Sequence, residues 1–148
     1  MTYPASGTLR SRREPALAGA GLILIAGLIH LLLTPQHFAE TAYLGALFLA
    51  NSVGSVVAAF GIYRGLRWGW ALGALFAGGA FVAYLLSGTA GLPGVEEGHL
   101  LESWGVLAKT AEALFLVVCG FELTRFGRRA LVGDLATLLV AAALAGRP

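Results

Sequence analysis

Four apolar stretches dominate this chain, each close to or above the roughly 20 helical residues that carry a helix across a bilayer. They run over about 15–33, 35–63, 68–86 and 103–123. A fifth, over 130–146, is shorter and carries Asp134. Backbone N–H and C=O groups inside hydrocarbon must bond to one another, so a single stretch of this kind has the helix as its local solution. The expected fold is therefore all-α: a polytopic transmembrane helix bundle with four spans and a candidate fifth. The fifth stretch either crosses a thin bilayer or lies along its interface; its apolar residues face all directions, which favours a span. Composition agrees. Only 12% of the 148 residues are charged and 57% are hydrophobic, against about 25% charged in an ordinary soluble domain. So few charges cannot cover a free soluble enzyme, and so apolar a chain does not stay disordered.

The charges sort by loop. Arg10, Arg12 and Arg13 precede the first stretch, Arg64 and Arg67 link the second to the third, and Arg125, Arg128 and Arg129 follow the fourth. In a four-span arrangement these eight of the ten basic residues fall on one side. The opposite loops carry Glu40, Glu96, Glu97 and Glu102 and no Lys or Arg. The positive-inside rule then sets the N-terminus in the cytoplasm. The expected division is a basic cytoplasmic flank over 1–14, a four-helix transmembrane bundle over 15–123, and a basic inner loop with a short hydrophobic helix over 124–148. Tyr63, Trp68 and Trp70 are expected at the inner interface, and Phe38, Tyr43, Tyr84 and Trp104 at the outer one. The basic residues flank spans and form no single patch, so nucleic acid is not an expected partner despite the net charge of +2.

Lipid removes the hydrophobic drive between helices, leaving close backbone approach and polar contacts to hold them together. Small residues recur every fourth position as Ala42, Ala46, Ala50, Gly54 and Ala58 in the second stretch, and as Gly65, Gly69, Gly73 and Ala77 in the third. Both ribbons are expected to face other helices, and Asn51 and Ser55 to bond across helices. Thr34-Pro35 reads as a turn, with Thr as N-cap and Pro at the first position of a new helix. The lone Cys119 lies in an apolar run, where packing is its expected role, and it excludes chemistry that needs paired thiols.

The chemistry-capable side chains gather on the expected outer side. His30 sits in the outer third of the first span, and His37 and Glu40 follow it as an i, i+3 pair. His99 and Glu102 belong to the outer connection, and Glu102, Lys109 and Glu112 share a stripe of the fourth span. Polar groups inside a membrane face the bundle interior or a wet cavity, so these residues predict an outward-opening polar cleft. Three functions compete for it. The working reading is an accessory or structural subunit of a larger membrane complex or a homo-oligomer, in which Lys109 and Glu112 neutralise each other. The second is a metal ion or haem held by His30, His37, Glu40, His99 and Glu102, since imidazole suits Zn, Cu and haem iron. The third is a small proton- or ion-coupled transporter with Lys109 and Glu112 as its relay. No Ser-His-Asp arrangement, HExxH or dinucleotide fingerprint occurs, which disfavours an enzyme.

The run His30-Leu31-Leu32-Leu33-Thr34-Pro35-Gln36-His37-Phe38-Ala39-Glu40, followed by Gly45 and Phe48, resembles small bacterial four-helix membrane proteins, notably actinobacterial ones. Gly91-Leu92-Pro93, Glu102 and Glu112 are similar to their last outer loop and final helix. Gln36 stands where those proteins often have Glu, and Lys109 where they often have Asp, which weakens any carried-over acidic site. The resemblance implies an integral protein of the bacterial inner membrane with an outer His/Glu cluster, and it carries no established activity.

Overall fold

The computed structural model describes residues 7–91, 93 and 103–145, with side-chain surroundings for 13–91, 93 and 103–127. Its helices are α1 (Gly7–Glu40), α2 (Ala42–Tyr63), α3 (Arg67–Thr89) and α4 (Ser103–Ala145). Three of them are long and apolar enough to cross a membrane, over Arg13–Glu40, Ala42–Tyr63 and Arg67–Thr89. The described part of α4 is more polar, because Lys109, Glu112, Glu122 and Arg125 interrupt its apolar run.

α1 packs on α2 and α4, and α3 packs on the same two, with little contact across the diagonal. The meeting points run antiparallel: Gly27 against Ser55, Gly61 against Gly69, Gly73 against Phe115, and Gly105 against Tyr84. This is an up-down-up-down bundle. One end carries the α1–α2 reversal at Thr41, and the other carries the α2–α3 turn at Gly65. The Gly65 turn closes as a Schellman motif, with the Leu66 N–H on the Gly61 carbonyl and the Gly65 N–H on the Ile62 carbonyl, both at 2.9 Å. Gly65 has φ +72°, a conformation that side chains with a Cβ rarely adopt.

Large apolar side chains point outwards, among them Leu28, Leu32, Val53, Phe60, Leu75 and Val117. The interior holds small and polar ones: Ala26, Ala58, Ala77, Ser55, Asn51, His30 and Glu112. Water would penalise that arrangement, whereas lipid solvates the outer face and small inner residues let the backbones close up. Towards the Gly65 end the interior becomes apolar, with Ile23, Ile62, Trp70, Phe115 and Cys119 packed together.

α1 does not stop at Thr34; it runs through Pro35 to Glu40, and the reversal falls on the single extended residue Thr41. Ending a helix in apolar surroundings strands up to four carbonyls, whereas a proline inside it removes one hydrogen bond. The Thr34 hydroxyl adds a local bond by donating to the His30 carbonyl at 2.8 Å. At the far end, residues 124–129 are not a loop: α4 continues unbroken to Ala145. That segment lacks proline, and its arginines are good helix formers. Tyr63 and Trp68 are exposed, but Trp70 is only 2% exposed, because Gly19 leaves room for its indole on α1. The α2 ribbon is half buried: Gly54 and Ala58 face inwards, whereas Ala42, Ala46 and Ala50 are exposed. A four-residue step overshoots a 3.6-residue turn by about 40°, so a long ribbon of this spacing leaves any one face.

Cys119 behaves as core. Its thiol is 2% exposed and lies 3.4 Å from the Trp70 carbonyl, to which it donates. A maleimide is expected to modify it at least about a hundredfold more slowly in the folded protein than after denaturation, as buried thiols are inert. Rapid labelling of folded protein, followed by mass spectrometry, would contradict this packing.

Candidate functional site

The buried face of α1 is read from its periodicity: Gly19, Ile23, Ala26, His30 and Thr34 lie at steps of three or four. That stripe carries His30 into the interior, where it is 5% exposed. On α4 the same logic buries Ala108, Ala111, Glu112, Phe115 and Cys119, and Glu112 is 0% exposed. The two stripes meet, and His30 Nε2 stands 3.6 Å from Glu112 Oε1.

The opposite oxygen of Glu112 is taken. Lys109, one turn earlier on α4, donates from Nζ to Glu112 Oε2 at 2.5 Å. The same ammonium sits 5.4 Å from the centre of the Tyr84 ring of α3, an added cation–π contact. Glu112 Oε1, by contrast, is buried with no hydrogen-bond partner among the described residues.

The protonation of His30 follows from its other ring nitrogen. Nδ1 lies 2.9 Å from the Ala26 carbonyl. A carbonyl only accepts, so Nδ1 carries a hydrogen and neutral His30 presents a bare lone pair at Nε2. Two acceptors, Nε2 and the carboxylate oxygen, then face each other out of water. The contact becomes favourable only when a proton resides on one of them. With one exchangeable proton among Lys109, Glu112 and His30 the cluster is neutral, and that proton satisfies the His30–Glu112 contact only by leaving Lys109. A second proton satisfies the contact with the lysine still charged and leaves the cluster with one positive charge.

Of the other candidate residues, His37 is half-buried and its Nδ1 donates to the Leu33 carbonyl at 2.9 Å, so its Nε2 is likewise bare. Glu40 is exposed and accepts from Gln36 Nε2 at 3.4 Å, not from His37. His99 and Glu102 lie outside the described residues, as do Glu96 and Glu97. Glu122 pairs with Arg125 at 2.9 Å on α4. Asn51 does bond across helices, from Nδ2 to the Phe76 carbonyl at 3.1 Å, whereas Ser55 donates within α2 to Asn51 Oδ1 at 3.3 Å.

Phe48 of α2 is the residue that spacing alone does not reveal. Its ring stacks on His37 with 3.7 Å between centroids and lies 5.0 Å from His30. One α2 ring thus contacts both imidazoles of α1. Among the described residues no group of three or more His, Cys, Asp or Glu side chains could hold a metal. Comparisons with protein families, with curated proteins and with solved structures found no match for this chain.

Proposed function

We propose that this is a small four-span protein of the bacterial inner membrane whose working part is a proton-exchanging His30–Glu112–Lys109 centre, acting as a relay in a homo-oligomer or a larger membrane complex. The observation that carries this reading is the buried Glu112 Oε1, partnerless among the described residues, facing the bare Nε2 of His30. Ionisable groups are costly inside a bundle in lipid, and a site that can hold one proton or two has a direct use in moving them. Four helices are too few to enclose a full pathway, which is the reason for further subunits. The arginine distribution orients the Thr41 end to the outside and the Gly65 end to the cytoplasm. The 43 residues of α4 extend about 65 Å, twice the roughly 30 Å of hydrocarbon, so this helix crosses once and continues beyond the inner surface.

In proteoliposomes, Glu112→Gln is expected to lower proton flux by at least about tenfold relative to the native protein, since the amide keeps the shape and loses the exchangeable charge. Equal flux in both, or no flux in the native protein, would count against the relay. A purely structural accessory subunit is the second reading. It is favoured by the Lys109–Glu112 pair, which neutralises itself within one helix and needs no ligand. That reading requires co-purification with a larger complex in mild detergent.

A further inference from the structure

We infer that the polar stripe of α1, running from Thr41 through His37 and Thr34 to His30, is the route by which protons reach Glu112, and that Phe48 is the barrier across it. This rests on the proton-exchange reading of the His30–Glu112 contact and specifies which end of the bundle the centre communicates with.

Four observations converge. Positions 30, 34, 37 and 41 are spaced by four, three and four, so they line one side of α1 up to the reversal. His30 and Thr34 are 5% and 7% exposed, His37 and Thr41 are half-buried, and Glu40 at the same end is exposed. The hydrogen-bonding state repeats, because both imidazoles donate from Nδ1 to the carbonyl one turn back and keep Nε2 free. The Thr41 hydroxyl, at the mouth of the stripe, is buried with no partner among the described residues. A stripe serving only to pack α1 into the bundle would be filled by apolar or small side chains, as it is towards the Gly65 end at Ile23 and at Gly19, which lies against Trp70 of α3.

Phe48 interrupts the route. Its ring lies against both imidazoles, with centroids 3.7 Å from His37 and 5.0 Å from His30, and among the described residues each histidine bonds only back to its own helix. Rotation of one side chain is a fast motion and needs no rearrangement of helices. Pro35 lies between the two histidines and removes the N–H that would bond the Leu31 carbonyl, which leaves the last turn of α1 less tied to the rest. Among the described residues, the titratable groups around the route are His37 and Glu40 on α1, Lys109 and Glu112 on α4, and Tyr84 on α3, whose ring faces Lys109. No Asp, Glu, Lys, Arg or His lies in Ala42–Tyr63, so α2 contributes the barrier and no proton carrier besides the phenols at its ends, Tyr43 and Tyr63.

Carbodiimides test the route without requiring transport, because they add to protonated carboxyl groups. Native protein, Phe48→Ala and Phe48→Leu are reconstituted in sealed liposomes and treated with either a water-soluble carbodiimide or hydrophobic dicyclohexylcarbodiimide. Labelling is read by mass spectrometry on the peptide containing Glu112. Phe48→Ala is expected to accelerate the water-soluble reagent at least about tenfold, one decade of rate. The hydrophobic reagent, arriving through lipid, is expected to act at an unchanged rate, and Phe48→Leu falls between Ala and native with the water-soluble reagent. No acceleration in Phe48→Ala overturns the barrier, and equal acceleration of both reagents overturns it too, since that reports general loosening. If dicyclohexylcarbodiimide never labels Glu112 in any variant, the proton-exchange reading fails and this route fails with it. Loss of flux in Glu112→Gln together with unchanged labelling in Phe48→Ala would leave the centre and remove the route.

Discussion

Lys109→Met is expected to destabilise the folded protein by about 3–5 kcal/mol, the cost of removing one partner of a buried ion pair. Glu112 is 0% exposed, and among the described residues only one of its oxygens has a donor, which is Lys109. Without the ammonium, the buried carboxylate keeps no donor among the described residues, and methionine fills the volume without supplying one. The companion variant is Lys109→Met combined with Glu112→Leu. Replacing both members of a buried pair by apolar groups is often neutral or better, so the double variant is expected to regain most of the loss. Thermal or denaturant unfolding of the purified protein in one mild detergent measures all three. Near-native stability of Lys109→Met would mean that the Glu112 contact does not hold the fold. A double variant as unstable as the single would assign the effect to the lysine stem and its contact with Tyr84 instead.

Gly69→Val is expected to cost about 3 kcal/mol, the upper end of what overpacking usually costs. A Cβ at position 69 would lie 2.5 Å from the Ile62 nitrogen and 2.6 Å from the Gly61 carbonyl carbon. Both are backbone atoms, so no side chain can swing aside, and α2 and α3 would have to separate next to the turn that joins them. Gly69→Ala is expected to lose less, because alanine recovers up to about 1 kcal/mol of helix propensity against the clash. Gly78 on the same helix provides the control, since a Cβ there would meet nothing within 4 Å. Gly78→Ala is expected to be neutral or slightly stabilising. Equal effects at 69 and 78 in parallel unfolding measurements would contradict the close approach of α2 and α3.

Much of the architecture was legible from residue order. Helices were readable because long apolar runs leave backbone groups no partners but their own, and the Lys109–Glu112 pair because three helical residues bring side chains onto neighbouring positions. Local signals misled where tertiary surroundings outweighed them. Thr34-Pro35 has the chemistry of a helix start, yet breaking α1 there would strand more backbone groups than the proline does. Trp70 has the composition of an interfacial residue, yet Gly19 opens a slot for its indole inside the bundle. His37 and Glu40 share a helix face by their i, i+3 spacing, yet Glu40 accepts from Gln36, and His37 Nδ1 turns back to its own helix.

For the site, the division is sharper. Residue order placed His30, Lys109 and Glu112 at similar depth and confined them to the interior, since depth follows from position along a helix and lipid excludes charge. It also determined the kind of fold, through the length and apolarity of its runs. Only the packed structure decided that His30 faces the oxygen of Glu112 that Lys109 does not reach. It alone set Phe48 against two histidines that share a helix. Those features depend on the rotation of one helix against another, which is settled by small residues such as Gly27 and Gly73 meeting side chains from distant parts of the chain. Hydropathy averages over such contacts, so it specifies which residues lie inside and leaves open which of them touch.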